Sequence, residues 1–200
     1  MEYYRYYPGA TAVGIVARDG VVLAADKRVA YGFTLMSKAG RKVFKITDRI
    51  GIASAGLMSD MQTLARSLEA EVKLYEFETG TPMSVRGVAK VLSIILFNRR
   101  LLPYYVDTIV GGVDSTGPHM YVLDPIGAVI EDKFAALGTG AQLAISVLEN
   151  EYREDLPIDL ARELAVKAVK TAFSRDAVSG DGIDLLLIGE SGTREEFVPV

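Results

Sequence analysis

The segment from Gly9 to Arg28 constrains the fold more than any other part of the chain. Gly9-Ala10-Thr11-Ala12-Val13-Gly14-Ile15 and Val21-Val22-Leu23-Ala24-Ala25-Asp26 are two apolar runs rich in β-branched residues, with Arg18-Asp19-Gly20 between them. Apolar runs flanking an Asp-Gly pair form the pattern of a β-hairpin. The hairpin returns Asp26 to the start of its first strand. A three-residue loop, Arg18 to Gly20, sets Asp26 opposite Ala12 and on the face of Ala10. A two-residue loop sets it on the face of Thr11. One residue of slip exchanges the faces, and the sequence leaves both open. An acid, a lysine and a hydroxyl gathered at the end of a buried hairpin are the makings of a hydrolase.

Further along, Val29 to Ser37 reads as an irregular or short extended loop, and Lys42–Ile46 with Ile50–Ala55 reads as a second hairpin about Asp48-Arg49. Met61, Leu64, Leu68, Val72 and Tyr75 recur at three- and four-residue steps, which predicts a helix from about Leu57 to Phe77, ended by Gly80. Thr81 as cap and Pro82 in the first turn start a second helix, with Val85, Val88, Val91, Leu92 and Ile95 as its apolar stripe. Strands resume from Val106 to Leu137, two more helices cover about 141–152 and 157–176, and Gly182–Ile188 is a late strand. Strand blocks separated by helix pairs do not fit the alternation of a parallel α/β sheet. Two stacked antiparallel sheets with helix pairs outside bury every apolar face found. That is an α+β chain, read as one domain without repeat or linker.

Composition narrows the function classes. A net charge of −4 gives no footprint for nucleic acid or an anionic membrane surface. With no cysteine, the chain has no disulfide, no thiol nucleophile and no cysteine metal site, and it suits a reducing cytosol. The longest apolar runs, such as Ile94-Ile95-Leu96-Phe97, fall far short of the ~20 residues a membrane span needs. Met1–Gly9 has no apolar core and is no secretory signal. No phosphate-binding Gly-x-x-x-x-Gly-Lys-Ser/Thr occurs. Lys42 opens a strand among Val43, Phe44 and Ile46, so its ammonium is either solvated at the strand end or partly buried and in need of a partner. Asp181 and Asp184 are candidates for a hard cation, although a polar turn explains them more cheaply. The single histidine, His119, reads as a surface or packing residue.

Four segments together carry a resemblance. They are the Gly9–Arg28 hairpin, Gly40-Arg41-Lys42, Ser54-Ala55-Gly56 and Arg175-Asp176-Ala177-Val178-Ser179-Gly180. In this order and spacing the chain resembles a β-type subunit of the 20S proteasome, most of all the archaeal ones, from about Gly9 to the C-terminus. The resemblance implies a four-layer α-β-β-α sandwich, the N-terminal nucleophile hydrolase fold, and an ATP-independent threonine-type endopeptidase of the cytoplasm. It needs neither cofactor nor metal.

By the same resemblance, Lys42 stands beside the nucleophile and Asp26 pairs with that lysine. Asp176 and Ser179 surround the terminal amine, which serves as general base, and Thr139 is a supporting hydroxyl. Gly56 supplies an oxyanion N–H, and Ser54 and Met58 line the specificity pocket. Implied partners are other β-type subunits in seven-membered rings, α-type subunits, and unfolded polypeptides as substrate. A regulatory ATPase acts only through the α ring.

One position departs from the family pattern. Active β subunits carry Gly-Thr where the propeptide is cut, and this chain carries Gly9-Ala10. Alanine has no hydroxyl with which to attack a peptide or free itself, so residues 1–9 are expected to remain as an uncut propeptide ahead of a domain over 10–200. Thr11 is expected to point to the opposite strand face from position 10. An engineered knockout and a naturally silent ring member both account for Ala10. An α-type gating subunit is a third reading, and the nine residues before Ala10 are too few for its N-terminal helix.

Overall fold

The computed structural model describes residues 9–32 and 34–200. The chain begins with β1 (Thr11–Ala17) and β2 (Gly20–Asp26), followed by β3 (Val29–Tyr31), β4 (Thr34–Ser37), β5 (Val43–Lys45) and β6 (Ile50–Gly56). The helix pair α1 (Met58–Thr79) and α2 (Val85–Asn98) comes next. Then follow β7 (Val106–Asp114), β8 (Gly117–Leu123), β9 (Val129–Glu131) and β10 (Phe134–Gly138). A second helix pair, α3 (Ala141–Glu151) and α4 (Ile158–Phe173), precedes β11 (Ile183–Gly189) and β12 (Gly192–Val198). Two antiparallel five-stranded sheets result, ordered β10-β1-β2-β11-β12 and β5-β6-β7-β8-β9.

Three apolar clusters mark three interfaces and hence four layers. Met61, Leu64 and Leu92 of the first helix pair meet Ile52, Val110 and Leu123. Leu23 and Leu186 meet Ile109 and Met120 between the sheets. Val13, Ile15 and Leu185 meet Ala144, Leu164 and Ala165 of the second helix pair. The expected α-β-β-α sandwich is the observed fold. Strand β1 explains why its sequence does not alternate: Val13 and Ile15 face the helices, Ala12 and Val16 face the other sheet, and all are buried. Gly14 lets the sheets approach, because a Cβ there would lie 2.5 Å from Met120 Sδ and 2.9 Å from Ile109 Cγ2.

The first hairpin closes with a two-residue loop and places Asp26 on the face of Thr11, the second of the two readings drawn from the sequence. Ala17 pairs with Gly20, so Arg18 and Asp19 alone form the turn, and Ala25 lies opposite Ala12. Asp26 therefore continues the ladder opposite Thr11. Gly20 is drawn into the strand because it also pairs with Gly189 of β11, where a Cβ would sit 2.3 Å from the Ile188 carbonyl oxygen. Asp19 accepts the Ile158 N–H at 2.9 Å and anchors the start of α4.

Two further boundaries move. Ser84, not Thr81, caps α2 by accepting the Gly87 N–H, and Thr81 instead donates its hydroxyl to Thr79 at the end of α1. Of the two readings of the 29–37 segment, irregular or short and extended, the extended one holds, since β3 pairs with β4.

Candidate active site

The site lies where β1 and β2 run out of partners at one end of the sandwich. Asp26 is its centre, with no solvent exposure. One carboxylate oxygen accepts Lys42 Nζ at 2.7 Å and the Thr11 N–H at 2.9 Å. The other accepts the N–H groups of Arg28 at 2.9 Å and Gly180 at 3.1 Å. Lys42, immediately before β5, is 1% exposed and also donates to the Arg28 carbonyl at 2.7 Å. Its ammonium is thus buried and partnered, the second of the two environments its sequence allowed. Burial pushes the Asp26 carboxyl up and the Lys42 ammonium down, while their mutual attraction opposes both shifts.

A second group of residues stands beside the first. Asp176, just past α4, accepts the hydroxyls of Ser179 and Thr139 at the same oxygen, each at 2.6 Å. Ser179 Oγ in turn lies 2.8 Å from Thr11 Oγ1. With the Ser179 proton committed to Asp176, Thr11 is the donor in that contact. Thr139 Oγ1 is 3.4 Å from the Ala10 nitrogen and 3.3 Å from its carbonyl oxygen. The Ala10 carbonyl abuts Gly138, where a Cβ would lie 2.2 Å from that oxygen and 2.9 Å from Ala55 Cβ. Gly56 follows directly, at φ 139° with the Tyr105 carbonyl where a Cβ would be, a position only glycine fills without strain. Gly56 and Thr139 share the wall of a cavity of about 370 Å³ with Tyr105, Asp107 and Pro125.

Asp26, Lys42, Thr139, Asp176 and Ser179 are therefore gathered around Ala10 and Thr11, with Gly56 one residue beyond Ala55. Ala10 itself is buried and brings only a methyl group. Thr11 points to the strand face opposite Ala10, as expected, and on that face its side chain joins the cluster through Ser179. The hairpin parity that would have revealed this was open in the sequence. Arg28 was missed, and its main-chain contacts to Asp26 and Lys42 leave no signature in residue type.

Elsewhere, Ser54 is buried with its hydroxyl 3.2 Å from that of Thr108, and Met58 lies against Gly40. Asp184 pairs with Lys27 and Asp181 with Arg28, each at 2.7 Å, so both carboxylates raised as cation ligands are held by the chain's own cations. His119 sits between Thr116 and Glu131 in an outer network of the β7–β8 turn, away from the cluster. Among the described residues, no helix is long and apolar enough to cross a membrane.

Comparison with known proteins points the same way. A family model described as proteasome subunit matches residues 6–188. "Proteasome subunit beta 2" of Pyrobaculum arsenaticum is 58% identical over 192 residues, covering 96% of this chain and 95% of the relative. The same-named protein of Thermofilum pendens is 58% identical over 193 residues, covering 96% and 94%. "Proteasome subunit beta 1" of Ignicoccus hospitalis is 52% identical over 185 residues, covering 92% and 93%. With this sandwich and these relatives spanning nearly its whole length, the chain belongs to the proteasome subunit family, among its β-type members.

Proposed function

We propose that this chain is a β-type subunit of the 20S core particle that carries the frame of a threonine endopeptidase without its attacking oxygen. The observation that carries the reading is the place of Ala10: its main chain meets Thr139, which donates to Asp176 beside Ser179, and the next residue, Thr11, gives its N–H to the Asp26–Lys42 pair. In that frame a threonine at position 10 attacks the scissile carbonyl with its hydroxyl. The Lys42 charge lowers the cost of forming the alkoxide, and Asp26 keeps the lysine protonated and oriented. The α-amine freed by propeptide removal takes the proton, held near Ser179, Asp176 and Thr139. The Gly56 N–H stabilises the oxyanion. With Ala10 in place the chain contributes fold, interfaces and chamber wall, and it works in the cytoplasm on no substrate of its own.

Residues 1–9 stay attached on this reading, because the family's processing step is an intramolecular attack by the residue at position 10. Intact-mass measurement on particles assembled with this β chain alone should give a chain retaining all nine residues before Ala10. A species beginning at Ala10 overturns the reading. A species beginning at Thr11 assigns the attack to Thr11, whose hydroxyl already touches Ser179.

Assembly is the second expectation. Mixed with α-type subunits, the chain should enter stacked seven-membered rings, read by native mass spectrometry. Monomers and dimers alone would contradict it.

A further inference from the structure

Asp181 has a φ of 66°, alone among the described non-glycine residues in the left-handed region. A residue with a Cβ stays in that region only where its surroundings hold it. Here the holder is Arg28. Its Nε donates to Asp181 Oδ2 at 2.7 Å, and its Nη1 donates to the Ala177 carbonyl at 2.8 Å. One guanidinium thus grips the turn on both sides of Ser179. It does so closely: a Cβ on Gly180 would lie 2.6 Å from Arg28 Nη2. Lys38, the other cation near Asp181, is 3.8 Å away and 70% exposed, and contributes little.

The main chain of Arg28 serves the other half of the site. Its N–H donates to Asp26 and its carbonyl accepts Lys42. A single residue therefore joins the acid–lysine pair, through its backbone, to the Ser179 turn, through its side chain. The guanidinium also holds the Asp181 carboxyl below the usual carboxylate range, as a close ion pair should.

We propose that Arg28 and Asp181 are positioning residues of this site: their ion pair locks residues 177–181 so that Ser179 and the Gly180 N–H keep station against Thr11 and Asp26. The proposal rests on the peptidase-frame reading and adds to it two residues that touch no substrate. It explains why a strained aspartate is kept between Gly180 and Gly182. Either glycine's freedom, extended to position 181, would relax the turn.

The test uses the full-length Ala10 chain, so its outcome is separate from whether Ala10→Thr cleaves. Amide hydrogen exchange is measured at Gly180, which donates to Asp26, and at Val13 and Leu23 in the sandwich interior. Arg28→Met and Asp181→Asn should each speed exchange at Gly180 roughly tenfold while leaving Val13 and Leu23 unchanged. The double variant should add nothing to either single one, because both break the same contact. Asp181→Asn keeps the Arg28 backbone contacts and a residue type that tolerates the left-handed region, so it carries the test if Arg28→Met fails to fold.

The Lys42 Nζ titration gives a second readout, in which Arg28→Lys keeps the charge and so controls for simple loosening. Burial lowers that ammonium most, the Asp26 and Asp176 carboxylates oppose it, and the Arg28 cation adds the smallest push, also downward. Arg28→Met should raise the midpoint, and Arg28→Lys should leave it in place. Unchanged Gly180 exchange in both single variants overturns the proposal. So does an equal rise at Val13 and Leu23, or a Lys42 midpoint that ignores the loss of the Arg28 charge.

Discussion

Replacing Ala10 by threonine should make the assembled chain cut itself after Gly9 and then cleave peptides. The expected gain is on the order of 10⁶ in rate over the parent, the scale by which losing a nucleophile disables a hydrolase. The argument is geometric. Ala10 is buried beside Thr139, and the other side chains to which the proposed reading gives a role, Asp26, Lys42, Asp176 and Ser179, are present and hydrogen-bonded around it and Thr11. On that reading only the attacking oxygen and, after processing, the freed amine are missing. Ala10→Thr combined with Lys42→Ala should fall back to background, because the new hydroxyl would lack its activating charge. A fluorogenic peptide assay with the mass of the mature chain reads both. If Ala10→Thr assembles, keeps residues 1–9 and hydrolyses nothing, the frame has decayed beyond its nucleophile.

The second large effect is on stability, and it is asymmetric across one ion pair. Asp26→Ala strips the carboxylate from Lys42 Nζ, which is left with the Arg28 carbonyl alone, and from the N–H groups of Thr11, Arg28 and Gly180, around a carboxylate with no solvent exposure. Breaking a buried pair while leaving the partner charged costs about 3–5 kcal/mol, and the stranded N–H groups add to that. Lys42→Met removes the other partner, yet Asp26 keeps its three backbone donors and the lost stem is replaced by one of similar length. Asp26→Ala should therefore lower the denaturant midpoint clearly further than Lys42→Met. Equal losses would show that Lys42, not the backbone, carries the Asp26 charge.

How far the sequence disclosed this molecule depends on which force decides each feature. The layers were legible because burial imposes period: the Met61–Val72 stripe and the Val106–Val113 run show which faces are covered. The hairpin register was not, since Gly20 is recruited by Gly189, a residue far along the chain. The α2 cap misled for a local reason, because Thr79 competed for Thr81 and left the capping to Ser84. Asp26, Lys42, Asp176 and Ser179 were found by side-chain type at known spacing, whereas the work of Arg28 in the site rests largely on its own amide and carbonyl, which any residue possesses.

The four donors converging on Asp26 also bear on how such a chain changes over generations. A carboxylate that closes the end of a β-sandwich is kept by selection for folding, whether or not any peptide is ever cut. The lineage can drop its nucleophile and still be unable to discard the rest of the apparatus. On the proposed reading, silence of this kind lies a single residue from reversal. In any genome, then, an intact aspartate–lysine pair testifies to a folded subunit, and only the residue at the cleavage junction testifies to a working one.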